Sequence, residues 1–194
     1  MRTATILTTV LLLGVPIVIG AQADPPTTGA PEIFSATAHA KNATGAVSGL
    51  LEVRLRRYTP DFDRKTVEAA LKEGGYPKFV LALRNAPEVG QLVLAGSEPF
   101  AIRYAREKVE DGGRTIVVVT DRPVFFIGGG RSAGTKSRAG YEVAVLQIQL
   151  DGKGQGSGSM AAAARVRPDG DGGVLLDDYA EEPIALTELT RKSS

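Results

Sequence analysis

The sequence predicts an α+β domain: a mainly antiparallel, strongly curved or half-barrel sheet of about 8 strands, with a helical hairpin inserted after the second strand. Two observations lead to this class. Apolar residues alternate with polar ones over most of the chain, which is the period of strands with one buried face. Helical spacing is confined to one region after the second strand, and short turns rich in Gly and Asp separate many of the later strands. Strands that follow one another with only a short turn between them indicate an antiparallel meander rather than alternating βαβ units.

The first two predicted strands show this alternation and are joined by a short turn. In residues 32–40, small and apolar side chains occupy every second position, and His39 falls on the opposite, polar face. In residues 47–58, leucine and valine occupy one face, while the other carries charged residues that include Arg54 and Arg56. Each strand is therefore expected to have one face in the core and one in solvent.

A helix is predicted directly after the second strand. Thr59 suits the N-cap position, Pro60 suits the first helical position, and the pair Gly74-Gly75 is a typical stop signal. The residues expected to pack on the sheet recur at helical spacing and are Phe62, Val67, Ala70 and Leu71. A second, shorter helix over residues 77–84 would complete a helical hairpin lying across the sheet.

The rest of the chain is predicted to form strands joined by turns. These strands are expected at residues 89–95, 99–109, 114–121, 124–127, 141–150, 160–167, 174–179 and 184–190. In the second of them, alternation places Phe100, Ile102 and Tyr104 on one face. Residues 116–119 are four β-branched residues in a row, which indicates a central strand buried on both faces.

Residues 1–23 have the pattern of a secretory signal peptide. Arg2 provides a cationic start, residues 4–19 are almost entirely apolar, and Ala21-Gln22-Ala23 is a small-x-small cleavage pattern. The alternative is a retained membrane anchor, but a spanning helix needs roughly 20 apolar residues, and this run is shorter and contains glycine and proline. We therefore expect a mature chain that starts at Asp24, has no transmembrane anchor after processing, and resides in a periplasm or outside the cell.

The expected mature chain divides into a leader and one domain. Residues 24–31 are rich in Pro, Thr and Gly and predict a flexible leader. Residues 32–191 then form a single α+β domain by the usual size criterion.

Composition excludes several kinds of site. The chain has no cysteine and one histidine, so it lacks the ligands of a zinc site, a thiol nucleophile and any disulfide. The 23 basic residues are balanced by 22 acidic ones, which predicts no nucleic-acid partner. Turn chemistry explains Asp169-Gly170-Asp171 without calcium, because the regular acidic spacing of a calcium loop is absent. We expect no metal, no cofactor and no catalytic residue, although a hydrolase that uses paired carboxylates remains an alternative.

A glycine-rich stretch at residues 128–137 resembles a phosphate-binding loop but lacks its spacing. In such a loop the lysine directly follows the second glycine of the motif, whereas here Thr135 stands between Gly134 and Lys136. A strand rather than a helix is also predicted to follow. The same stretch and the residue after it carry three cations without an acid, namely Arg131, Lys136 and Arg138. These cations are candidates for an anion-binding loop, and the alternative is a basic surface loop without a specific ligand.

The sequence hypothesis for function is an exported, non-catalytic module that binds a small ligand or an envelope protein. A ligand would occupy the concavity between curved sheet and helical hairpin, where polar contacts could come from Arg54, Arg56, Arg103 and Tyr104. The alternative is a structural or protein-partner role that uses an exposed strand edge or the basic loop.

Residues 58–75 and 118–123 are similar to an uncharacterised family of secreted bacterial proteins. The resemblance implies an exported bacterial domain and transfers no activity. It also implies that Tyr58 is a structural aromatic at the helix entry, and that Asp121 and Arg122 form an ion pair at a strand end.

Overall fold

The computed structural model describes residues 31–42, 45–110, 112–124, 139–170 and 172–192. The predicted signal peptide, nearly all of the predicted leader, and the candidate anion residues Arg131, Lys136 and Arg138 lie outside these residues. Within them the chain forms nine strands and one helix, in the order β1 (Glu32–Asn42), β2 (Gly45–Leu55), α1 (Asp61–Asn85), β3 (Gly90–Leu94), β4 (Phe100–Glu110), β5 (Gly113–Thr120), β6 (Val143–Leu150), β7 (Gln155–Pro168), β8 (Val174–Tyr179) and β9 (Ile184–Lys192).

The sheet is mainly antiparallel, as predicted, but it closes into a barrel instead of stopping at a half-barrel. Eight strands pair in the cyclic order β1, β2, β3, β4, β5, β6, β7, β9, and β9 returns to β1 through pairs such as Phe34 with Arg191. The ninth strand, β8, pairs with the last part of β7. Alternation shows which face of a strand is buried but not which distant strand pairs with it, so closure was not visible in the sequence.

The barrel interior is filled by a continuous cluster of buried apolar side chains. An eight-stranded barrel is just wide enough for inward side chains to fill it. The largest of these side chains are fully buried and include Phe34, Leu51, Leu92, Ile102, Ile116, Leu146, Ile148, Met160 and Leu186. The interior is therefore the main core of the domain.

The predicted helical hairpin is wrong: the two helical segments form the single element α1. Gly75 has φ 68° and ψ −169°, which kinks the helix, and the helix then continues through Pro77 to Asn85. The predicted N-cap is also wrong, since Pro60 occupies that position and the hydroxyl of Thr59 accepts a hydrogen bond of 2.8 Å from the amide of Ala105. In the described part of the chain, no helix combines the length and apolar character needed to cross a membrane.

The helix packs on the outside of the barrel and forms a second core. Its buried apolar residues are Val67, Leu71, Phe79, Val80 and Leu83, and Phe62, which was predicted to join them, is 82% exposed. Below the helix, Tyr104 points outward although Ile102 points inward. The two were predicted to share a face, but a bulge between them shifts the register of β4 and turns Tyr104 to the opposite side.

Candidate functional site

The β7–β8 hairpin, a name used for residues 164–170 and 172–179, folds over the outer face of the barrel. Register shifts in β7 bend it away from β6, and the hairpin tip reaches β4, where the guanidinium of Arg106 donates to the carbonyl of Gly172. Helix α1 supports the β7 side of the hairpin, since the hydroxyl of Tyr76 donates to the carbonyl of Ala164 at 2.9 Å. The hairpin is thus fixed at its base and at its tip.

A groove of about 340 Å³ lies between this hairpin and the barrel wall, and we call it the outer groove. Its walls include Asp169, Gly173, Val174, Leu175 and Leu176 from the β7–β8 turn and β8. Its floor consists of outward-facing residues of β4, β5, β6 and β7, namely Tyr104, Arg106, Lys108, Thr115, Val117, Val145, Gln147, Gln149, Ser159 and Ala161.

Strand register arranges this floor, together with the neighbouring Val119 and Ser157, in rows that run across the four strands. The inner row, Tyr104, Val119, Val145 and Ala161, is buried beneath the helix and hairpin. The middle row is Arg106, Val117, Gln147 and Ser159, and the outer row is Lys108, Thr115, Gln149 and Ser157. The floor therefore changes from apolar at the back to amides and hydroxyls at the open side, with both cations at the β4 end.

The chemistry of the outer groove suits binding better than catalysis. Among the described residues, no protein hydrogen bond engages the side chains of Gln147, Gln149 or Ser159, so they present donors and acceptors to the groove. The hydroxyl of Tyr104 donates to Glu68 at 2.7 Å, and burial raises the pKa of Tyr104 far above its ordinary range. This phenol is therefore neutral and held in place by Glu68, and it is a poor general acid or general base for catalysis.

Of the four predicted ligand residues, Tyr104 lines the outer groove and the arginines lie elsewhere. Arg54 pairs with Glu52 at 2.6 Å, and Arg56 pairs with Glu88 at 3.0 Å, on the exposed face of β2 and just beyond its end. Arg103 donates to the carbonyl of Ala86 at 2.9 Å and lies 3.5 Å from Asp121. The structure does not bring the four side chains together, and Asp121 pairs with Arg103 instead of Arg122.

Sequence reasoning missed the polar floor of the outer groove. Gln147 and Gln149 alternate with buried apolar residues of β6, so their outward position could be predicted. Their role in a groove could not be predicted, because their alignment with Ser159 and Arg106 depends on strand register. The wall of the groove depends in turn on where the β7–β8 hairpin folds.

A second polar cluster closes one end of the barrel, and we call it the Glu32 cluster. Glu32 is 5% exposed and accepts hydrogen bonds from the hydroxyl of Tyr58 at 2.6 Å and the guanidinium of Arg114 at 3.2 Å. Arg191 lies 2.8 Å from the same carboxylate, and Arg114 also pairs with Glu107 at 2.9 Å. Every charge in the cluster has an opposite partner, which indicates a structural role.

The pH dependence of stability tests the Glu32 cluster through Glu107→Gln. Burial raises the pKa of Glu107 above its ordinary value of 4.5, and Arg114 offsets this only in part. A carboxyl with a raised folded-state pKa binds its proton more tightly in the folded protein, so its contribution to stability falls as pH rises from about 4.5 through the raised pKa.

The glutamine in E107Q does not titrate, so this variant is the reference for the effect. We therefore expect the free energy of unfolding of the wild type to fall relative to that of E107Q across this window, measured by urea denaturation. A difference that rises with pH would contradict this.

The single histidine lies on an exposed face, as its strand position predicted. One ring nitrogen of His39 is 2.9 Å from the Ser48 hydroxyl and the other is 2.8 Å from the Thr187 hydroxyl. A catalytic triad needs a carboxylate on the nitrogen that faces away from serine, and here a threonine occupies that place. The arrangement is a row of cross-strand hydrogen bonds over β2, β1 and β9.

In the described ranges, no three histidine or acidic side chains gather where they could hold a metal ion. No protein-family model matches the chain, and neither the curated proteins nor the solved structures contain a significant match. The case for function therefore rests on the geometry of the outer groove.

Proposed function

We propose that the protein is an exported, non-catalytic binding module and that the outer groove is its ligand site. Export, to a periplasm or to the outside of the cell, is supported by the signal-peptide pattern of residues 1–23. The observation that carries the binding role is a concave surface with an apolar back and several side-chain amides and hydroxyls that have no described protein partner. Ligand sites commonly combine an apolar lining with a few polar groups that fix orientation.

The outer groove replaces the site expected from the sequence, which was the concave face of an open sheet. Closure of the barrel turns that face into the packed interior, where apolar side chains occupy the space. The convex face of β4, β5, β6 and β7 becomes available instead, because the β7–β8 hairpin provides a wall over it.

Binding can be tested by filling the groove. Ser159 is an exposed residue of its floor, so Ser159→Trp is expected to occupy the groove while leaving the barrel interior unchanged. Leu50→Trp is the matched control, since Leu50 is an exposed strand residue on β2, across the barrel from β6. The probe is a low-mass extract of the cell envelope, added to ¹⁵N-labelled protein.

We expect the extract to shift amide resonances of the middle and outer rows in the wild type and in L50W, and to leave S159W unchanged. Shifts that persist in S159W, or shifts confined to other surfaces, would overturn the assignment of the site. The absence of any shift in the wild type would overturn the binding role itself.

A further inference from the structure

The edge of β8 that faces away from β7 has no strand partner among the described residues. In the order of the sheet, β8 is the terminal strand and pairs with β7 through residues such as Val174 with Pro168 and Tyr179 with Ala164. Helix α1 covers the β7 side, because the hydroxyl of Tyr76 donates to Ala164 and the guanidinium of Arg165 lies 6.0 Å from the Tyr76 ring. Val174 and Leu176 of β8 also pack in the cluster under the helix, so the part of the edge left open is the part that lines the outer groove.

The outer groove runs along this edge. Side chains of successive strand residues point to opposite faces, so a groove that touches three residues in succession lies against the strand edge. Val174, Leu175 and Leu176 are such a series, and all three line the outer groove. Unpaired N–H and C=O groups on a strand edge can accept another extended chain.

We propose that the ligand of the outer groove is a short extended peptide that adds as a strand to β8. This inference rests on the proposed function and names its ligand class. Main-chain hydrogen bonds to β8 would supply affinity, and the polar floor would contact alternate side chains of the peptide. Since Val174 is 3% exposed and the other five residues of β8 are more open, the paired segment has up to five residues.

Charges at the two ends of β8 specify the charges of the peptide. Arg106 and Lys108 lie at the end where β8 begins, because the guanidinium of Arg106 contacts the hairpin tip at Gly172, and Asp169 lines the groove at the same end. Asp177 and Asp178 are exposed near the other end of the strand, where Asp177 lies 3.9 Å from Arg167 and Asp178 accepts a hydrogen bond from the Tyr141 hydroxyl. Two cations face one acid at the first end, and two aspartates face Arg167 at the second, so an acidic group near Arg106 and Lys108 and a basic group near the aspartates would make the peptide complementary.

The probe is a synthetic library of hexapeptides with glutamate at one end, lysine at the other, and Ser, Thr, Val and Gln between them. Both orientations are included, so that the better-binding one identifies whether the added strand is parallel or antiparallel to β8. Library members that bind the full domain are resynthesised with single N-methyl groups, since each N-methyl group removes one backbone donor.

We expect N-methylation at alternate peptide positions to weaken binding at least tenfold, and methylation at the intervening positions to have little effect. Hydrogen exchange should slow at alternate amides of β8. Gln147→Ala should weaken binding several-fold, because Gln147 lies in the groove floor and no described residue engages its side chain, whereas Lys65→Ala, a change at an exposed lysine of α1, should not. Binding without the alternating pattern would overturn strand addition.

The outcome separates this inference from the proposed function. If no peptide binds but the envelope extract still shifts the groove resonances in an S159W-sensitive manner, strand addition is wrong and the outer groove remains a ligand site. If neither probe acts on the groove, both the inference and the proposed function fail.

Discussion

Replacement of Glu32 by alanine is expected to lower the free energy of unfolding by about 3–5 kcal/mol, the usual cost of removing one partner of a buried ion pair. The Glu32 carboxylate is 5% exposed and binds Tyr58, Arg114 and Arg191 at 2.6 Å, 3.2 Å and 2.8 Å. Without it, the Tyr58 hydroxyl loses its acceptor in a buried position, and Glu107 is the one counter-charge that the described residues still offer to Arg114.

Urea denaturation measures this loss, and Glu98→Ala serves as the control because Glu98 is an exposed acid outside the cluster. The control should change the free energy of unfolding by no more than about 0.5 kcal/mol. A double-mutant cycle adds a sharper readout: Tyr58→Phe should destabilise the wild type and have almost no further effect in E32A. A loss below about 1 kcal/mol in E32A would show that solvent enters the barrel end and that the cluster is not buried as described.

Glu32 also shows where local sequence reasoning ends. Alternation placed it at the start of a strand, and that position is correct. Its burial depends on Arg114, which is 82 residues away, and on Arg191 from the last strand, so no local pattern could identify it as the centre of an ion cluster. The same limit applies to barrel closure, since the pairing of β1 with β9 joins the two ends of the domain.

The candidate site was predictable in part for the same reason. The outward face of β6, with Gln147 and Gln149, follows from a period of two. Tyr104 was selected as a site residue, but its expected face was wrong, because an extra residue in β4 reverses the alternation. Bulges depend on pairing with a neighbouring strand, and periodicity within one strand does not reveal them.

Phe79→Ala is expected to cost about 3–5 kcal/mol of stability, because it removes a large, fully buried ring from the interface between helix and barrel. Phe79 belongs to the second core on the outer face of the sheet, and its ring stacks against Tyr76 with centroids 6.2 Å apart. Leu81 is the matched control, since it lies two residues further along the same helix and is 63% exposed. Leu81→Ala should change the free energy of unfolding by no more than about 0.5 kcal/mol.

Part of the destabilisation in F79A should be confined to the β7–β8 hairpin, which forms a wall of the outer groove. Tyr76 anchors the base of the β7–β8 hairpin through Ala164, so loss of its aromatic neighbour should loosen the hairpin before it disturbs the packed barrel interior. Hydrogen exchange in F79A should therefore accelerate in β8 and in residues 164–168 more than in β1 and β2, which lie away from the helix. Equal acceleration in all strands would show that the helix and the barrel unfold as one unit, and that the hairpin does not depend on the Tyr76–Phe79 contact.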